Sequence, residues 1–140
     1  MTTRAGGSIA LRPKGNQYEH RIRVARIGRV GPVDIWHVEG RVIRDHVYID
    51  FTEGGNSRAY IWMPSNEIWL DHDVDPGEQD FVKLHELHEW NKMGDGMNYE
   101  NAHESANGVE GQARRDPSKL GELWRAEVKR IKPERKGEVS

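Results

Sequence analysis

The sequence predicts an α+β fold: a small antiparallel sheet over about residues 19–70, then three helices near 76–93, 98–114 and 117–131. Two observations carry this. The first half alternates β-branched and polar residues between Gly/Pro turns, the period-2 pattern of half-buried strands. The second half switches to helical spacing with caps and stops. Strands in one block and helices in the next argue for α+β.

Taken in order, residues 1–17 are rich in Gly, Arg and Lys without periodicity and read as a flexible basic arm preceding one domain at 18–132. From Glu19 to Val30, Arg21-Ile22-Arg23-Val24 alternates as a strand that Gly31-Pro32 ends. Val33–Val38 reads as a second strand, and Arg41–Phe51 contains a third, with Val47, Ile49 and Phe51 on one face. Glu53-Gly54-Gly55-Asn56 reads as a hairpin turn, Ala59–Met63 as the returning strand, and Glu67–Leu70 as a last short one. Asp75-Pro76-Gly77-Glu78 then supplies an N-cap acid, a proline at the first helical position and an acid in the first turn. Gly94-Asp95-Gly96 stops that helix, Asn98 caps the second, and Asp116-Pro117 opens the third. In the third, Leu120, Leu123, Trp124, Val128 and Ile131 form one apolar stripe. Pro133 ends it, and residues 133–140 read as a flexible tail.

Composition limits the chemistry. With no cysteine in 140 residues, disulfides, thiolate metal sites and a cysteine nucleophile are excluded. No apolar run approaches the roughly 18 residues of a membrane span, and no signal-peptide core is present, so the expectation is a soluble, cytoplasmic protein. The net charge of −2 hides a strong asymmetry. Residues 1–44 carry nine Lys/Arg and three Asp/Glu, residues 45–113 three against fifteen, and residues 114–140 nine against five. The acidic middle favours bound cations and disfavours a phosphate backbone, which makes nucleic acid the least favoured partner.

That acidic middle holds four of the seven histidines: His72, His85, His88 and His103. The densest run is His85-Glu86-Leu87-His88-Glu89, with Ala102-His103-Glu104 downstream. Imidazole and carboxylate together are what a divalent ion such as zinc accepts. At about 100° per residue, Phe81, Val82, His85, His88 and Glu89 share one face of the first helix. On the second, His103, Glu110 and Tyr99 lie on the same half of the wheel as Ala102, Ala106, Val109 and Ala113. A short connection makes the two helices antiparallel neighbours and brings His103 or Glu110 towards His85 and Glu89.

The run resembles the active-site helix of zincin metallopeptidases, whose motif is His-Glu-x-x-His. The resemblance implies His85 as first metal ligand, Glu86 as general base and position 89, here Glu89, as second ligand. His88, one position early, is the alternative second ligand, and His103 is the candidate third. It also implies an edge strand before the helix to hold an extended substrate, a place Glu67–Asp71 would suit. A broader set of features, among them Gly54-Gly55, Gly96-Met97 and Tyr99, resembles small uncharacterised phage and bacterial proteins and implies no activity.

These readings predict a zinc-dependent hydrolase acting on a peptide or amide bond. The metal ligands would be His85 and His103 with Glu89 or His88, and Glu86 would be the catalytic base. Glu110 and Tyr99 would support them: Glu110 as a ligand, a support or a salt-bridge partner of Arg114, and Tyr99 as an oxyanion donor or a capping aromatic. The competing expectation is a non-enzymatic module, stapled by metal or by a buried polar network, that binds a protein partner. His72 is a weaker candidate ligand, and Asp45, His46 and Asp50 are candidates to line a pocket facing the helices. Trp36, Trp62 and Trp69 are expected as core or groove walls.

Overall fold

Gly31 (φ +57°) and Pro32 make the tight turn between β1 (Arg23–Val30) and β2 (Val33–Val38), which pair antiparallel. The computed structural model describes residues 20–132, so the predicted basic arm at 1–17 and tail at 133–140 lie outside the described residues. Residues 20–22 are helical, and the first strand starts later than the alternation suggested.

After β2 the chain forms α1 (Gly40–His46), then β3 (Gly54–Asn56), and returns as β4 (Glu67–Asp71). The sheet order is β1-β2-β4-β3. β2 and β4 run parallel, with Asp34 opposite Glu67 and Val38 opposite Asp71, while β3 is antiparallel to β4. The class is α+β as expected, but the sheet is mixed, not antiparallel. A parallel pair cannot be joined by a hairpin, so the chain between β2 and β4 must cross over. It does so through α1.

Three local assignments change with it. Residues 41–46, expected within a strand, are helical, because Ile43 and Val47 are both buried at i, i+4 spacing. Ala59–Met63 is a set of turns rather than a returning strand. Gly54-Gly55-Asn56 is itself a strand and not a turn. Its glycines serve close approach, since a Cβ on Gly54 would lie 2.9 Å from Trp69 O and from Val82 Cγ1, and one on Gly55 would collide with the Tyr60 ring.

Alternation along β2 and β4 sends side chains into two cores. Val33, Ile35, Ile68 and Leu70 join Val82, Leu87 and Trp90 on one face. Val38 and Trp69 join Ile22, Ile43, Val47, Phe51, Tyr60, Trp62 and Met63 on the other, with Trp36 packed against them. Trp62 and Trp69 are therefore core residues, as expected. All five residues of β4 are buried, and Arg23 reaches across to Glu67 at 2.7 Å.

α2 (Pro76–Gly94) covers the first of these faces. Pro76 sits at its start as predicted, although Asp75 caps through its backbone carbonyl, which accepts from Glu78 N at 2.8 Å, rather than through its side chain. Gly96 (φ +102°) reverses the chain, and Met97 N donates back to Lys92 O at 3.0 Å. α3 (Tyr99–Arg115) begins at Asn98, whose side chain accepts from Asn101 N at 2.9 Å. The cross-pairs Glu78–Arg114, His85–Glu110 and Glu89–His103 make α2 and α3 antiparallel, and Ala102, Ala106 and Ala113 are buried on α3. A 3-10 turn at Pro117–Lys119 precedes α4 (Leu120–Arg130), a shorter last helix than expected. Trp124, Val128 and Ile131 of the predicted stripe pack on the first of these cores, with Val82, Leu87 and Trp90, yet the deepest residue of α4 is Glu127, 1% exposed.

Candidate metal centre

α2 carries its ionisable residues inward. His85, Glu86, His88 and Glu89 are all buried, which spends desolvation free energy and requires partners for every one of them. Those partners divide into two systems.

The first joins α2 to α3. His85 Nε2 lies 3.2 Å from His103 Nδ1 and 3.5 Å from Glu89 Oε2, and His103 Nδ1 lies 2.8 Å from Glu89 Oε2. Three donor atoms thus meet at one point from two helices. Zinc bonds of about 2.0–2.2 Å set tetrahedral ligand–ligand separations of a little over 3 Å, so the spacing already matches a small divalent ion. The donor set, two imidazole nitrogens and one carboxylate oxygen, suits zinc as well.

The orientation of His85 agrees with this. Its Nδ1 is 2.9 Å from Glu110 Oε1, so a neutral ring donates Nδ1–H to Glu110 and turns the Nε2 lone pair towards the cluster. Glu110 is held in turn by Arg114 Nε at 2.8 Å, and Arg114 also pairs with Glu78 at 2.7 Å. Glu110 therefore both supports His85 and forms the i, i+4 salt bridge. A carboxylate behind the metal-facing imidazole is the usual outer partner of a metal-bound histidine. Tyr99 Oη lies 3.2 Å from His103 Nδ1, with its ring stacked on the imidazole.

Glu86 lies on the other side of the cluster, 7% exposed, and its Oε1 accepts from Asn56 Nδ2 at 3.0 Å. The same amide donates to Glu89 Oε1 at 2.9 Å. Nothing in the pattern around Gly54-Gly55 pointed to Asn56, because a turn residue was expected there. Its complete burial in a strand only three residues long is the signal that the fold supplies.

Glu86, His85, His103 and Glu110 line a cleft of about 190 Å³ with Thr52, Glu53, Gly54, Val82 and Asn107. His103 is the open side of the site, its side chain 38% exposed. The edge strand beside this cleft is β3, not Glu67–Asp71, which is flanked on both sides. Asp71 N donates to Glu53 O and Ser57 N to Glu67 O, which fixes the parity of the pairing and turns the N–H and C=O of Gly54 away from β4.

Electrostatics favour a cation at the centre. Burial works against the charge on His85, but the hydrogen bond with Glu89 and the fields of Glu86, Glu89 and Glu110 outweigh it and lift the imidazole to about 9. Burial raises Glu89, yet its bonds to His103 and His85 hold the carboxyl below its ordinary value. A buried carboxylate kept ionised between two imidazoles is a ready ligand.

The second system excludes His88 from this centre. His88 Nδ1 is 2.6 Å from Glu127 Oε2 and Nε2 is 2.7 Å from Ser105 Oγ, so both ring nitrogens are engaged elsewhere. Between Glu89 and His88 as second ligand, the geometry selects Glu89. Glu127 and Ser105 were not singled out from sequence. His72 joins Glu39 and Asp73 in a solvent-facing cluster, with Nε2 2.9 Å from Glu39. Asp45, His46 and Asp50 are exposed and do not line the cleft between β3 and the helices.

Comparison with known proteins adds no family: no family model, no curated protein and no solved structure matches the chain. Among the described residues, no helix is long and apolar enough to cross a membrane.

Proposed function

We propose that the chain is a zinc-dependent hydrolase acting on a peptide or amide bond. His85, Glu89 and His103 hold the ion and Glu86 serves as general base. The observation that carries this is the convergence of His85 Nε2, Glu89 Oε2 and His103 Nδ1 at mutual distances of 3.2, 3.5 and 2.8 Å.

A divalent ion held by His85, Glu89 and His103 would supply Lewis acidity to a scissile carbonyl and to an attacking water. The chain supplies the rest. Glu86, one residue from His85 and facing the same cleft, takes the proton from that water and passes it to the leaving amine. The outward N–H and C=O of Gly54 offer main-chain bonds to an extended substrate laid along β3. Tyr99 Oη, 3.2 Å from His103 Nδ1, would donate to an oxygen that gains charge beside that imidazole. The carboxylates of Glu53, Glu86 and Glu110, with no Lys or Arg among the lining residues, favour a substrate carrying positive charge.

The decisive experiment combines metal analysis with turnover of fluorogenic peptides. The wild type should purify with, or take up, one zinc and cleave. Glu86→Gln should keep the zinc and lose cleavage by at least two orders of magnitude. Full activity in Glu86→Gln removes the base, and absence of stoichiometric zinc uptake by the wild type removes the mechanism.

One observation favours a second reading, a metal-stapled interaction module. The cluster joins α2 to α3 through bonds that also serve as structural ties. On that reading zinc raises the unfolding temperature of both the wild type and Glu86→Gln, and no peptide is cleaved.

A further inference from the structure

We propose that Asn56 is a positioning residue that fixes Glu89 as a one-oxygen ligand, an inference that rests on the metal site above. Asn56 is wholly buried and its side chain is fully engaged. Oδ1 accepts from Arg58 N and Ala59 N, each at 3.0 Å, and Nδ2 donates to Glu86 Oε1 at 3.0 Å and Glu89 Oε1 at 2.9 Å. The turn amides determine which way the group faces: a flipped amide would set N–H against N–H and carbonyl against two carboxylates.

The consequence lies at Glu89. One of its oxygens, Oε1, is held by Asn56, and the other, Oε2, is the atom 2.8 Å from His103 Nδ1. A carboxylate tethered in this way presents one oxygen to an ion, leaving room in a small coordination shell for water or substrate. The same amide sets the separation between Glu89 and Glu86, so ligand and base are registered to each other and to the strand beside the cleft. Asn56 is the only link on β3 that does both among the described residues.

The test uses the full chain with zinc and with cobalt as a coloured substitute. Asn56→Asp keeps the acceptor for the turn and removes both donors. Asn56→Ser also keeps an acceptor, and its single short hydroxyl cannot span both carboxylates. In either variant that folds by circular dichroism, zinc affinity should fall about 10- to 100-fold, the usual effect of losing an outer partner of a ligand. The cobalt visible band should weaken as Glu89 swings to bind through two oxygens. If neither variant folds, the infrared carboxylate stretches of the zinc-loaded wild type decide, since their separation differs between one-oxygen and two-oxygen binding. Folded variants with wild-type affinity and spectrum, or a wild type with two-oxygen Glu89, overturn the proposal while leaving the metal site standing. A wild type that takes up neither metal overturns the site itself.

Discussion

His88 points at Glu127: Nδ1 and Oε2 are 2.6 Å apart, both side chains buried, one turn along α2 from the His85 imidazole that faces Glu89 and His103. This pair, with Asn91 Nδ2 3.0 Å from Glu127 Oε1, docks α4 onto α2, while Arg130 Nη1, on α4 itself, holds Glu127 Oε2 at 2.6 Å. Ser105, His88 and Glu127 have the order of a nucleophile relay, hydroxyl to imidazole to carboxylate. Ser105 nevertheless sits in the middle of α3, where its own amide belongs to the helix ladder and does not serve as an oxyanion donor. The relay is a structural tie.

That assignment has a measurable consequence. Glu127→Ala leaves His88 without its buried acceptor and Asn91 with only the backbone carbonyl of residue 127, and should destabilise the protein by roughly 1–3 kcal/mol, the cost of a buried polar group left unsatisfied. Zinc stoichiometry should stay at the wild-type value in the folded fraction. Urea unfolding with parallel metal analysis reads both, and a variant as stable as the wild type would show that α4 is held by apolar packing alone.

The two histidine roles separate by substitution. His85→Ala and His103→Ala each remove one of three donor atoms and should lower zinc affinity by at least two orders of magnitude, with partial retention of fold. His88→Gln, which keeps hydrogen-bonding capacity near Glu127 and Ser105, should hold zinc within a fewfold of wild type. Isothermal titration with zinc against a competing chelator distinguishes these. Loss of metal in His88→Gln, equal to that in His85→Ala, would move the ligand set.

The opposite shifts of His85 and Glu127 give two pH windows. The folded-state value of His85, about 9, lies above its ordinary 6.5, so its stabilising contribution is complete below 6.5 and is lost as pH rises towards 9. For the metal-free protein that loss is on the order of 3 kcal/mol. Glu127 is held below 4.5 by its bonds to His88 and Asn91, which overcome the opposing effect of burial, so its contribution is present above 4.5 and fades as pH falls further. Metal-free protein should therefore be most stable between about 4.5 and 6.5. Zinc must displace the His85 proton, so binding at pH 7.5 should release about one proton, and affinity should rise roughly tenfold per pH unit up to 9. Calorimetry in buffers of different ionisation enthalpy counts the proton, and a count near zero would mean that His85 is already neutral.

Much of the helical half could be read directly from the sequence. Pro76, Asn98 and Gly96 act through local backbone chemistry, and each lies where that chemistry ends or starts a helix. The convergence of His85, Glu89 and His103 was legible for the same reason: His85 and Glu89 are one helical turn apart, and a short connection forces His103 opposite them. The sheet was not. Whether β2 pairs with β4 or folds back in a hairpin depends on contacts far apart in sequence. A β-branched run such as Val42-Ile43 reads as strand until the burial of Ile43 and Val47 on one helical face decides otherwise. Asn56 and Glu127 were missed because a polar residue is assigned to the surface unless its partners are known. Their partners, on α2, lie 30 or more residues away.

Charge in the cleft yields the last prediction. Glu53 is exposed at its mouth, Glu86 and Glu110 lie within it, and no Lys or Arg is among the lining residues. Arg114 pairs with Glu110 and is shared with Glu78, and Arg44 donates to Thr52 O at 3.3 Å. A basic residue beside the scissile bond should therefore raise kcat/KM by about tenfold over an acidic one at low salt, with the gap narrowing as ionic strength screens it. Glu53→Lys should shrink or invert that preference while leaving zinc affinity unchanged, because Glu53 is not among the converging donors. Matched fluorogenic peptides that differ only at one Lys, Gln or Glu position provide the comparison. Equal rates for all three, or a preference for Glu, would mean that the bound ion, rather than these carboxylates, sets the potential that the substrate meets.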